Sequence, residues 1–293
     1  MAIDIYQSVT DTIIAQLEKG IVPWVKPWNS KTATAGDVTM PMNYTTKRPY
    51  SGINVLLLWG KAWNAGYANN QWLTYKQALA VGGNVKKGEK GTQIIFYTMF
   101  QSKTEFRPNG DPVMIPMIKG YTVFNIEQCE GIEPDSVVVM PEPERNAACD
   151  AIVKATGASI KHEGNRAYYT PMMDAITMPI PQSFKTMGDY YATLFHELGH
   201  WTGHKSRLDR KFGVTHGNED YAYEELIAEL TAAFTCATVQ VEPTNRHADY
   251  IGSWLAKLQN DKRYVFRAAS AASKAANLIL GSAEEMDNEK EAA

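Results

Sequence analysis

The sequence predicts an α+β chain of two domains, and three observations carry that expectation. The hydrophobic period changes along the chain: residues up to about 130 mix short helical patterns with two β-rich runs, whereas those after 145 read mainly as helices around a few short strands. A proline- and acid-rich stretch without helical period, GIEPDSVVVMPEPER, separates the two halves at residues 131–145. The charge also divides there, with 13 Lys+Arg against 9 Asp+Glu in residues 1–130 and 16 against 23 in the remainder. We therefore expect a domain over 1–130, a linker over 131–145 and a domain over 146–293, a division that 293 residues accommodate at ordinary domain sizes.

Each element follows from a local pattern. Ile3, Tyr6, Val9, Ile13 and Leu17 recur at helical spacing, and Gly20 stands where a helix would stop. Pro23 to Ser51 is irregular. Ile53 to Ala65 reads as an apolar helix, and Thr74 to Val81 as a short one ended by Gly82-Gly83. Ile94–Phe100 and Val113–Phe124 are β-rich, and Pro108-Asn109-Gly110-Asp111 between them supplies turn chemistry, so they predict a hairpin. In the second half, Glu144–Thr156 predicts a helix closed by Gly157. Strand-like segments follow at Ser159–His162, Ala167–Thr170 and Ala175–Met178. Helices are expected over Tyr190–Trp201, Ala222–Val239 and Ala248–Leu280, the last broken near Asn260-Asp261.

Composition narrows the class. Hydrophobic content of 44% and charged content of 21% are those of a globular protein. No apolar run approaches the roughly 18 residues of a membrane span, and the first residues lack a basic signal-peptide region. Cys129, Cys149 and Cys236 stand far apart, an odd count that fits neither a disulfide framework nor a zinc knuckle. A reducing, cytoplasmic setting with no membrane partner is the expectation.

The most informative motif is His196-Glu197-Leu198-Gly199-His200, an HExxH on an expected helix. Residues i and i+4 share a helix face about 6 Å apart along the axis, so two imidazoles can converge on one ion. The glutamate lies beside them, where it can take a proton from a metal-bound water as general base. Chance would produce about 0.01 such matches in a chain of this composition. The alternative, a solvated His/Glu face, fits poorly with the apolar residues Tyr191, Leu194, Phe195 and Leu198 around it.

A catalytic zinc takes three protein ligands and leaves one position open. His204 is one candidate for the third. A continuous helix would carry it about 12 Å from His196, and only a break at Gly203 could bring it back. Glu225 and Glu229 are the other candidates, at i, i+4 on the next helix: one carboxylate could bind the metal while its neighbour accepts a ligand imidazole N–H. Ala228, Ala232 and Ala233 would let that helix approach closely. The cofactor is thus one divalent ion, zinc first, with manganese or cobalt as alternatives.

The first half carries a different chemistry. From Lys47 to Lys90, seven basic residues face one acid, and five of seven tryptophans fall within the first 72 residues. Sequence-independent binding of single strands needs a positive groove and aromatic faces on which bases stack. Gly82–Gly91 supplies Lys86, Lys87 and Lys90 among glycines that admit a phosphate backbone. Trp24, Trp28, Tyr44 and Tyr50, in irregular sequence, and Trp72 are candidate stacking residues; Lys47, Arg48 and Asn54 are candidate contacts. Trp59 and Trp63, on an apolar helix, read as core.

Several motifs in order resemble one family. HELGHWTGH at 196–204, Arg207-Leu208, EELIAELTAAF at 224–234 and the segment at His247–Ile251 are similar to the C-terminal zincin-like metallopeptidase domain of the ArdC antirestriction proteins. SGINVL at 51–56, WLTYK at 72–76, GGNVKKGEKGT at 82–92 and VFNIEQCEG at 123–131 resemble that family's N-terminal single-stranded-DNA-binding domain. The resemblance implies a mobile-element protein that protects incoming DNA from restriction, with single-stranded DNA and an unidentified protein or peptide as partners. In peptidases of the HExxH-plus-Glu class the ligand glutamate is followed four residues later by the residue that orients an imidazole. That order resembles Glu225 then Glu229, whereas three-His peptidases space their third His six residues on, unlike His204.

Overall fold

The computed structural model describes residues 4–20, 22–24, 39–136, 140–212, 219–242 and 251–281. Helix α1, Ile5–Leu17, starts where the Asp4 carboxylate accepts the Gln7 N–H at 3.2 Å. Then come β1 (Met42–Asn43), α2 (Ile53–Ala65), β2 (Gln71–Thr74), α3 (Tyr75–Ala80) and β3 (Asn84–Val85). Thr74 and Gln77 close a reciprocal cap at the start of α3. β4 (Thr92–Phe106) and β5 (Pro112–Asn125) form a long antiparallel hairpin, and β6 (Cys129–Glu130) follows. The sheet order is β1-β2-β5-β4, with β1 and β2 parallel, and β3 pairs with β6. Both hairpin strands run past their sequence-derived ends. The two-residue strands and β2 were not legible as strands, because segments that short show no alternation.

The second half is α4 (Glu142–Thr156), β7 (Ser159–His162), β8 (Tyr168–Thr170), β9 (Ala175–Met178), α5 (Met187–Thr202), α6 (Glu219–Thr238), α7 (Ile251–Asn260) and α8 (Tyr264–Leu280). Its sheet is β7-β9-β8, with β9 central. No described helix is long and apolar enough to cross a membrane. The three cysteines are buried and unpaired.

The largest core does not respect the expected boundary. Val9, Ile13 and Leu17 of α1, Trp24, and Val55, Leu56 and Trp59 of α2 pack with Leu226, Leu230 and Phe234 of α6, Trp254 of α7 and Ala268 of α8. Trp24 meets Trp254 edge-on at 5.5 Å, and the buried Thr10 hydroxyl donates to the Lys262 carbonyl at 2.9 Å. A second core, formed by α5 with Ile176 and Met178 of β9, Cys149 of α4 and Cys236 of α6, supports the HExxH helix from beneath. The 131–145 stretch is not a bare tether either: Gln71 exchanges hydrogen bonds with the Asp135 backbone at 3.0 Å, and α4 begins within it.

β4 is an edge strand, and Asn54 closes it. The Asn54 side chain donates to the Ile95 carbonyl at 2.7 Å and accepts the Ile95 N–H at 2.8 Å, both bonds buried. This amide imitates a neighbouring strand at the point where α2 crosses the sheet edge. Asn54 is therefore a structural residue and not the DNA contact expected for it. Asn54→Ala orphans a buried donor and a buried acceptor, each costing about 1–3 kcal/mol. We expect a loss of about 2–5 kcal/mol in urea unfolding; a loss under 1 kcal/mol would show that water replaces the amide.

Candidate metal centre

The centre lies between α5 and α6. α5 starts on a reciprocal cap between Thr186 and Asp189 and is buried along most of its length. Gly199 is where the helices come closest: a Cβ built there would lie 3.1 Å from the Ala228 Cα and 3.3 Å from the Thr231 Cβ. Small residues at this crossing bring the histidine face of α5 against the glutamate face of α6.

The facing groups converge. The His196 and His200 Nε2 atoms are 3.2 Å apart. Glu225 places Oε2 3.6 Å from the first and Oε1 3.5 Å from the second. Four-coordinate zinc, with bonds of about 2.0–2.1 Å, separates its ligand atoms by about 3.3 Å, so the spacing matches the edges of a coordination shell. Each outer nitrogen faces another carboxylate: His196 Nδ1 lies 3.5 Å from Glu229, and His200 Nδ1 lies 3.3 Å from Glu224. An N–H on each Nδ1 would leave both Nε2 lone pairs aimed inward.

Glu224 is itself gripped by Arg210, whose Nε and Nη2 donate to its two oxygens at 3.0 and 2.7 Å. The same guanidinium donates to the Thr202 hydroxyl at 2.9 Å and the Gly199 carbonyl at 2.7 Å, tying the end of α5 to α6. Glu197, Glu224, Glu225 and Glu229 are all buried. Burial works against charge on His200, yet the Glu224 hydrogen bond and the charges of Glu225, Glu224 and Glu197 prevail and lift its pKa to about 9. Burial likewise opposes ionisation of Glu224, but His200 and Arg210 hold its carboxyl below the usual range. Such a site calls for positive charge, and its two imidazoles and converging carboxylate fit a divalent cation.

His204 stands apart from this cluster. The α5 helix ends at Thr202, and the turn carries His204 to Ser206, at 2.8 Å, and to within 3.8 Å of Asp174. Beside it, Arg207 stacks on Trp201 at 3.8 Å and pairs with Asp174, which also accepts from the Tyr169 hydroxyl at 2.8 Å. His204 thus belongs to a lock between the β8–β9 turn and the end of α5, not to the expected ligand alternatives. Glu224 and Arg210 escaped the sequence reading. Glu224 sits one position before Glu225, off the i, i+4 face, and Arg210 has no motif.

The expected DNA-contacting aromatics divide sharply. Trp24, Tyr50 and Trp72 are buried: Trp24 in the large shared core, the other two in a core with Leu58, Ile94 and Val123. They are corrected to core residues, since a base cannot stack on a ring that solvent does not reach. Tyr44 is half-buried, donates its hydroxyl to the Glu133 carbonyl at 3.1 Å and lies under the Lys47 ammonium, which also pairs with Asp135. Arg48, Lys86, Lys87 and Lys90 are exposed, and Lys86 donates to the Glu127 carbonyl at 3.0 Å. Trp28 lies outside the described residues.

Removing the support behind His200 should weaken metal binding without touching a facing nitrogen. Glu224→Gln and Arg210→Ala are each expected to lower zinc affinity about 10–100-fold, measured by competition with a chromogenic chelator. Arg210→Lys should not restore it, because an ammonium cannot reproduce the two-pronged grip. Wild-type affinity in Arg210→Ala would remove the guanidinium from this role.

Comparison with known proteins gives the family of each half. Residues 147–271 match the zincin-like metallopeptidase family, and residues 3–124 match the N-terminal domain of anti-restriction factor ArdC. The crystal structure of the antirestriction protein ArdC from plasmid R388, metal-free, superposes with a TM-score of 0.79 at 41% identity, covering 96% of this chain and 98% of that one. Its Mn(II)-bound form gives 0.78 at 41% identity, covering 97% and 99%. An uncharacterised protein of Sinorhizobium fredii, y4eC, is 38% identical over 94% of this chain and 91% of its own length. A DNA primase TraC of Escherichia coli is 39% identical over 94% of this chain, which spans only 20% of that larger protein. With nearly full-length similarity and both domain types in the same order, the chain belongs to the ArdC antirestriction family.

Proposed function

We propose that this protein binds single-stranded DNA and hydrolyses peptide bonds at a divalent metal centre, protecting mobile-element DNA from restriction as it enters a cell. One observation carries the enzymatic part: two inward-facing imidazole nitrogens 3.2 Å apart, with the Glu225 carboxylate 3.5–3.6 Å from both. In this reading His196, His200 and Glu225 hold the ion, while Glu229 and Glu224 orient the two imidazoles. Zinc is the ion assigned, because two histidines and one glutamate make a catalytic zinc set with a position left open. The manganese in the R388 relative supports a divalent ion and leaves manganese as the alternative. When bound, such an ion supplies an acidified water and polarises the scissile carbonyl.

Glu197, buried on the same helix as both histidines, takes the proton from the attacking water and passes it to the leaving amine. The substrate is a protein or peptide, and the setting is the cytoplasm, consistent with three unpaired cysteines. The single-strand reading rests on the matched N-terminal family segment and on the exposed lysines 86, 87 and 90 before β4. Two other readings, a DNA-coating protein with a structural ion or a peptidase whose basic half recognises protein, make less use of these features. A structural zinc needs no Glu197 and fills its fourth position with protein.

Glu197→Gln tests the enzymatic part and separates it from a structural ion. It should retain metal and thermal stability near wild type while peptide hydrolysis falls by at least about 100-fold, the usual worth of a general base. The assay is cleavage of a substrate established with wild-type protein, alongside metal content by emission spectroscopy. Hydrolysis at the wild-type rate would remove Glu197 from the mechanism.

A further inference from the structure

Trp24, Tyr50 and Trp72, three of the rings expected to stack on DNA, are core and offer no face to a base. Exposed aromatics among the described residues concentrate on the β4–β5 hairpin: Tyr97 is 59% exposed, Phe100 45% and Phe106 60%. The foot of the hairpin is covered, with Ile94 and Ile95 each buried in a core. Beyond it, partly exposed rings occupy both faces. Phe96 and Tyr121 meet edge-on at 6.1 Å, Lys119 lies over the Phe100 ring at 5.7 Å, and Ile115 opposes Phe100 across the strands. A register shift between Gln101 and Phe106 bends the outer part, where the Ser102 hydroxyl accepts the N–H groups of Thr104 and Glu105 at 3.2 and 2.9 Å.

We infer that this arm is the surface on which single-stranded DNA stacks, with Tyr97, Phe100 and Phe106 as its base platforms. The inference rests on the single-strand reading above and assigns it a location. Charge favours a polyanion over an apolar protein partner. The arm carries Lys103, Arg107 and Lys119 against Glu105 and Asp111, and Asp111 is held in the hairpin turn by Asn109. Lys86, Lys87 and Lys90 precede the foot of β4, so a strand lying along the arm meets cations at both ends. Lys119 over Phe100 pairs a phosphate-binding charge with a ring face in one unit. The rings lie in regular strands rather than a loop, which holds them ready for bases without ordering a flexible segment.

The test is fluorescence anisotropy of a labelled oligothymidylate with full-length protein across a salt series. Tyr97→Ala/Phe100→Ala/Phe106→Ala should weaken binding about 10-fold or more, with metal content unchanged because none of the three belongs to the metal centre. The matching triple leucine variant should be equally weak, since leucine keeps apolar bulk but offers no π-face. Phe100→Trp should bind at least as well as wild type. Lys119→Gln should lower the salt slope by about 0.7. If the triple alanine variant loses stability, Tyr97→Ala and Phe106→Ala are measured singly, each expected to cost about 5-fold. A wild type that binds while the alanine variants match it within twofold overturns the arm and leaves the single-strand reading intact; a wild type that does not bind overturns both. Full binding by the leucine variant would show an apolar contact and overturn stacking. A wild-type dimer in sedimentation that the alanine variant dissociates, with DNA affinity unchanged, would make the arm a contact between copies.

Discussion

The close crossing of α5 and α6 at Gly199 and Ala228 is the constraint on which the centre depends. Two imidazoles on one helix cannot alone hold an ion with useful selectivity; they need a carboxylate from a second element at a fixed distance. With no side chain at 199, the helix axes come near enough for Glu225 to lie 3.5–3.6 Å from both nitrogens. The same proximity brings Glu224 and Glu229 behind the rings. Four buried carboxylates around two histidines would be self-repelling, and Arg210 is the guanidinium seen to offset one of them. The remaining imbalance explains why His200 favours its charged form and why a divalent cation fits the site.

α6 also joins the two halves of the chain. One of its faces presents Glu225, Glu229 and Ala232 towards α5. Another presents Leu226, Leu230 and Phe234 to the core shared with α1, α2 and α8. Trp59 of α2 approaches Phe234 at 5.8 Å, and α2 in turn closes the edge of β4 through Asn54. A continuous packed path therefore runs from the hairpin foot to the helix carrying Glu225. The halves are distinct in family and charge but not in core, so cutting the chain near residue 130 would strip α1 and Trp24 from the partners that bury them.

Much of this was legible in the sequence, for a physical reason. Helices with a strong apolar period announce themselves: Ile53–Ala65 was read with the limits it has in the structure, and the break at Asn260-Asp261 divides α7 from α8. The HExxH spacing is local, so its two histidines needed only helical geometry to be placed on one face. Glu225 required a second helix, and its i, i+4 relation to Glu229 was a usable signal. Glu224 and Arg210 gave none, because their meeting depends on the turn after Thr202 folding back onto α6. Short strands failed for a similar reason, since β1 and β2 exist only by pairing across distance.

The aromatics show where composition misleads. A high density of tryptophan in a basic half suggests stacking surfaces, but large rings bury the most area and are the first residues a folding core recruits. Trp24, Tyr50 and Trp72 follow that rule, while Tyr97, Phe100 and Phe106 violate it. Irregular, proline-rich sequence is no guide to exposure, because an irregular segment can still be pinned by a ring in a pocket, as Trp24 is against Trp254. A regular strand, conversely, exposes whatever its sheet fails to cover, and β4 and β5 extend well beyond the layer that covers Ile94 and Ile95. An aromatic is therefore informative about binding only when local structure would have allowed it to be buried and the fold leaves it in water.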